Sequence, residues 1–150
     1  MFKSLLLAAA AALTVALPAT AKVDPGTQQL LLTLSQHINV KIDSNDCNIG
    51  PKHFGSWDPN NLTMVLCTHG DVDAEDHDTV RHEAWHVVQH CLSPAGSRVV
   101  HPVFTGQEYR DVILARITNS QLQRLMNLYP ESHHASEVEA FVVAANVDAA

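Results

Sequence analysis

Three things are scarce or absent in this 150-residue chain, and each closes off a class of function. Basic residues are few, 9 Lys and Arg against 16 Asp and Glu, and they are scattered singly along a chain of formal charge −7. Without a basic patch or stripe, nucleic acid is excluded as the expected partner. Long apolar runs are also missing, apart from Leu5 to Leu17 near the start. That run is too short to span a bilayer comfortably, and no second one follows, so no stable membrane association is expected of the mature chain. Finally, the three cysteines (Cys47, Cys67 and Cys91) contain no C-x-x-C pair, which argues against a Cys-His zinc site. Internal repeats and flexible linkers are lacking too.

The Leu5–Leu17 run has a different use. Lys3 supplies a positive start, and Pro18-Ala19-Thr20-Ala21 ends in a small-x-small cleavage pattern. Residues 1–21 therefore read as a secretory signal peptide, with cleavage expected after Ala21. Losing Lys3 takes the formal charge from −7 to −8. The remaining chain, 22–150, is one domain with room for a modest core. Its expected location is a bacterial periplasm or the extracellular space. In such an oxidising compartment three cysteines imply one disulfide and one leftover thiol. Of the three pairings, Cys47–Cys67 would close a hairpin-like segment and is preferred; the others would tie the motif helix to that sheet.

What is present in quantity is histidine, 10 residues, and one arrangement of it carries chemistry. His82-Glu83-Ala84-Trp85-His86 has the spacing H-E-x-x-H. Residues four apart share a helix face, so His82 and His86 can present both imidazoles to one ion. Neutral imidazole suits zinc, and two ligands from one rigid helix fix half of a tetrahedral site. Glu83 borders the same face and could take a proton from a water activated by the metal. The flanking sequence agrees with a helix. Asp73 can cap it, Ala74 to Cys91 contains neither Gly nor Pro, and Leu92-Ser93-Pro94-Ala95-Gly96 supplies a stop. The acidic residues between Asp71 and Asp78 read as a solvated helix start that suits the macrodipole; an acidic rim favouring basic substrates is the functional alternative.

Elsewhere the pattern predicts a helix over Pro25–His37 and a half-buried strand over Ile38–Ile42. A short strand is possible at Phe54–Trp57, and a central apolar strand is expected at Leu62–Cys67. After the motif helix come a brief extended stretch at Arg98–Val100 and helices over Gln107–Ile117 and Ser120–Leu128. A last helix, Glu137–Val147, would be capped by Ser136. The expected fold is α+β, a small sheet packed against the motif helix with further helices C-terminal to it.

Two histidines leave a third protein ligand to be found. The last helix offers Glu137-Val138-Glu139-Ala140, preceded by His133 and His134. An H-E-x-x-H motif followed by E-x-x-A on a later helix resembles the gluzincin branch of the zincin metallopeptidases. The first motif is specific and the second is weak alone; the likeness extends over roughly 62–145. It implies a compact zincin-like domain, one catalytic Zn2+ held by His82, His86 and Glu137, Glu83 as general base, and a peptide or protein substrate. It also implies that Ala140 lets the two helices approach closely. The chain departs from the pattern at Phe141, where many gluzincins carry Asp or Asn to support a ligand histidine, which leaves that role vacant or filled from elsewhere. Glu139 competes with Glu137, since its helix face is at least as apolar; the E-x-x-A match and the small residues Ala140 and Ala144 favour Glu137. His133 or His134 would give an all-histidine site, but the metzincin continuation is absent, with Gln89 at its glycine position. His90 reads as a surface or capping residue, with support of a ligand as its alternative, Trp85 as core, and His69 and His77 as loop residues, with a secondary metal site as theirs. Tyr109, Tyr129, His101, His133 and His134 remain equal candidates for stabilising an oxyanion. The rival reading is a catalytically inactive zinc-binding or protein-interaction module on the same fold.

Overall fold

The computed structural model describes residues 24–43, 47, 54–68, 74–97 and 99–146. The expected signal peptide, the Asp73 cap and His69 lie outside the described residues. Helix α1 (Pro25–Leu34) begins with proline, whose missing N–H costs nothing in a first turn, and the Asp24 carboxylate accepts from the Thr27 amide at 3.0 Å. Strand β1 (Asn39–Ile42) follows, then β2 (Gly55–Asp58) and β3 (Thr63–Leu66). They form a sheet of order β1-β3-β2, with β1 parallel and β2 antiparallel to β3. The most apolar of the three, β3, is central and buried along its whole length, as its sequence predicts. The turn between β2 and β3 is closed by Asp58, which accepts from the Asn60 amide and the Asn61 side chain. The expected disulfide pairing is the one present: Cys47 joins Cys67 across a Cα–Cα distance of 5.6 Å, and Cys91 is free and exposed.

Helix α2 (Ala74–Leu92) carries the motif and lies between two cores. On one side Val80, Ala84 and Val87 pack with Leu31 of α1 and with Met64 and Leu66 of β3. On the other side stands α5 (His134–Asn146), whose Ala140 and Ala144 are buried. A second cluster, built on Ile113, Leu125, Val138 and Val142, supports α5 from behind. The α+β architecture is thus present, and its middle layer is the motif helix. Among the described residues no helix is long and apolar enough to cross a membrane.

Several expected elements differ in detail. The Gln107–Ile117 helix is broken: α3 (Gly106–Glu108) opens into a π-helical turn at Tyr109–Ile113 and then a 3-10 turn at Leu114–Arg116. Arg116 takes up carbonyls loosened by the change of register, donating to Val112 O at 2.6 Å and Asp111 O at 3.2 Å. Helix α4 (Asn119–Leu128) is opened by a capping box between Thr118 and Gln121. Ser136 is not the cap of α5. A 3-10 turn at Glu131–His133 runs directly into a helix starting at His134, so Ser136 is interior, buried, and bonded back to His133 O.

Candidate metal centre

His82 and His86 project from one face of α2, one turn apart, toward Glu137 on the first turns of α5. The His82 and His86 Nε2 atoms are 3.1 Å apart. His82 Nε2 lies 3.2 Å from Glu137 Oε2, and His86 Nε2 lies 3.5 Å from Glu137 Oε1. Bonds of about 2.0–2.1 Å in a tetrahedral site would separate ligand atoms by about 3.3–3.4 Å, and the three measured edges bracket that value. Among the described residues this is the one group of three metal-binding side chains whose donor atoms gather so closely. His82, His86 and Glu137 lie close enough to hold a metal ion.

The electrostatics have the same sense. Burial disfavours a charge on Glu137, yet hydrogen bonds from His82 and His86 outweigh it and hold the carboxyl down at about 2. Burial would lower His86, but its hydrogen bond to Glu137 and the nearby Glu83 and Glu137 carboxylates raise it instead. Both shifts describe one contact from its two ends, the Glu137 carboxylate facing the histidine imidazoles. The two facing Nε2 atoms are satisfied either by one N–H···N hydrogen bond between the rings or by a cation shared between their lone pairs.

Glu83 is one residue round the helix, and its environment is drier. Burial pushes its carboxyl up, partly offset by His82 and His86. Its Oε2 is buried with no hydrogen-bond partner among the described residues. An unpaired buried carboxylate oxygen is costly, and beside a three-donor cluster it suits a group that exchanges protons with a small guest such as water. The other side of Glu83 is covered by β2. A Cβ on Gly55 would sit 2.9 Å from Glu83 Cγ and 2.8 Å from Thr79 Cγ2, so only glycine lets the strand backbone pass this close. Sequence reasoning assigned Gly55 no role; a glycine opening a short strand was its only signal.

Of the oxyanion candidates, Tyr129 is the one whose titration responds to Glu137 and Glu83. Its phenol is pushed up to about 12, first by burial and then by Glu137 and Glu83. Tyr109 instead donates to Ala135 O, His101 meets Ser97, and His134 bonds Tyr129 O. Neither His133 nor His134 belongs to the metal-binding group.

Glu139 is not part of the metal-binding group. It is fully buried and receives Trp85 Nε1 at 2.7 Å, Gln89 Nε2 at 3.1 Å, and the amides of Val103 and Phe104 at 2.9 and 3.1 Å. Trp85 is therefore half-buried and held by this bond, with its ring stacked near Phe104, rather than lying beneath the helix in the core. The support left vacant by Phe141 comes to His86 from Gln89, whose Oε1 is 2.7 Å from Nδ1. Of two other histidines, one differs from expectation. His77 is helical and pairs with Asp24 at 3.1 Å, while His90 is half-buried edge-on to the Trp57 ring. No family model, curated protein or solved structure matches the chain.

Proposed function

We propose that this chain is a zinc-dependent peptidase of zincin type, exported from the cell and acting on peptide or protein substrates. The observation that carries the reading is the meeting of His82, His86 and Glu137 beside a buried Glu83 with an unpaired oxygen. Two imidazoles and a carboxylate leave one tetrahedral position open, which is the donor set of a catalytic rather than a structural site. Zinc held there would supply Lewis acidity, lowering the pKa of water and polarising a carbonyl.

The chain's own groups do the remaining work. Glu83 takes the proton of the attacking water and passes it to the leaving amine, a task suited to a carboxyl raised by burial. Tyr129, its phenol held protonated, donates to the developing oxyanion. Among the described residues strand β2 ends the sheet on the side of Glu83, and an extended peptide pairing along that edge would run past the site. The Cys47–Cys67 disulfide is compatible with an oxidising compartment.

The test is hydrolysis of an unfolded protein such as reduced casein by chelator-treated chain, with and without added Zn2+. Activity that disappears on chelation and returns with one equivalent of zinc supports a peptidase. Tight zinc binding with no turnover on casein or a mixed peptide library would favour the inactive zinc-binding module instead.

A further inference from the structure

Gln89 is fully buried three residues after His86, and both ends of its amide are engaged. Its Nε2 donates to Ser136 O at 3.0 Å and to Glu139 Oε1 at 3.1 Å. A backbone carbonyl can only accept. Glu139 accepts as well, because Trp85 Nε1 and the Val103 and Phe104 amides also point their hydrogens at it. Turning the Gln89 amide over would set oxygen against two acceptors, so the NH2 must face them and Oε1 must face His86. The atom 2.7 Å from Oε1 is His86 Nδ1, which must then carry the hydrogen of that bond. The neutral ring is left with its lone pair on Nε2, the atom turned toward His82 and Glu137.

From this chain of contacts we infer that Gln89 is a positioning residue. With its amide locked by Glu139 and Ser136, it fixes the tautomer and orientation of His86, so that Nε2 is presented to a metal. Gln89 acts only through His86 and touches no reacting atom. Glu139 gains a function here distinct from ligation: a buried carboxylate on α5 dictates, through one amide on α2, which nitrogen of a ligand is free. The consequence for metal rests on the zinc-site reading above, but the tautomer itself does not.

The experiment compares wild type with Gln89→Met, which keeps length and apolar bulk but offers His86 no oxygen. Ring nitrogens of His86 are observed by long-range 1H–15N correlation in the metal-free, disulfide-intact proteins. Zn2+ affinity is measured by competition with a chromogenic chelator, and near-ultraviolet circular dichroism checks the fold. The wild-type ring carries its hydrogen on Nδ1. Gln89→Met shows a mixture of tautomers and binds Zn2+ about 10–100-fold more weakly with the fold retained. A wild-type ring protonated on Nε2, or a folded Gln89→Met that binds Zn2+ within twofold of wild type, overturns the inference. If wild type binds no Zn2+, the metal reading fails, and the tautomers of the two proteins decide the positioning role alone. Should Gln89→Met not fold, the wild-type tautomer still decides it.

Discussion

Glu137 and Glu139 stand two residues apart on α5 and serve opposite ends of the same site. Glu137 meets the histidine Nε2 atoms at 3.2 and 3.5 Å, while Glu139 collects four N–H donors behind them. On a helix that spacing turns the second carboxylate away from the first. One is placed to be a ligand; the other ties α2, α5 and the Val103–Phe104 segment together.

The two carboxylates therefore respond differently to mutation. Glu137→Ala is expected to lose at least 100-fold in Zn2+ affinity, since it removes one of three protein ligands. Glu139→Gln is expected to keep Zn2+ binding within about tenfold but to be less stable by about 1–3 kcal/mol, because its amide cannot accept from all four donors. Chelator competition and urea unfolding measure the two quantities. Metal loss in Glu139→Gln with metal retention in Glu137→Ala would reverse the assignment.

Gly55→Ala probes the contact between β2 and Glu83. The added methyl meets Glu83 Cγ and Thr79 Cγ2 inside van der Waals distance, so either the strand or the Glu83 side chain must shift. A loss of about 1–3 kcal/mol in stability is expected. Hydrolysis should fall while Zn2+ affinity stays near wild type, because the ligands lie on other faces. Unchanged stability and turnover would mean that the strand does not bear on Glu83.

Opening the Cys47–Cys67 bridge removes a crosslink between residues 20 apart in sequence. A double Cys47→Ser, Cys67→Ser variant should be about 3 kcal/mol less stable by thermal or urea unfolding. Cys91→Ser should be neutral within about 0.5 kcal/mol, since its side chain is exposed and unpaired.

Tyr129→Phe separates oxyanion stabilisation from metal binding. Removing one donor to the developing charge should lower kcat about 100-fold, with Zn2+ affinity unchanged. A change confined to Zn2+ affinity would move Tyr129 from the reaction to the support of Glu137.

Much of this arrangement was legible in the sequence because local pattern encodes it. The motif helix, the apolar β3 and the proline-opened α1 follow from periodicity and breakers, and His82 and His86 from a four-residue spacing. Glu137 was legible only as the head of a short E-x-x-A motif, with Glu139 an open competitor. What decides between them is the company each keeps across α2 and the 103–104 segment, and no periodicity on α5 reports it. Gln89 escaped for the same reason: its partners Ser136 and Glu139 are 47 and 50 residues away in sequence. Ser136 itself misled, because a serine before an apolar run reads as a cap unless a 3-10 turn has already begun the helix. His77 falls inside the Gly- and Pro-free span from Ala74 that already predicts the helix, so its loop reading conflicts with that span, and the structure sides with the helix.

The central claim is that one metal centre and one carboxylate divide the chemistry, and Glu83→Gln tests it most directly. Both proteins are assayed for bound Zn2+ and for hydrolysis of the same unfolded substrate. The account predicts one equivalent of Zn2+ in each and a loss of turnover in Glu83→Gln of at least 100-fold, the lower end of what a positioned base contributes. Equal hydrolysis by the two proteins, or loss of Zn2+ on the substitution, would contradict it.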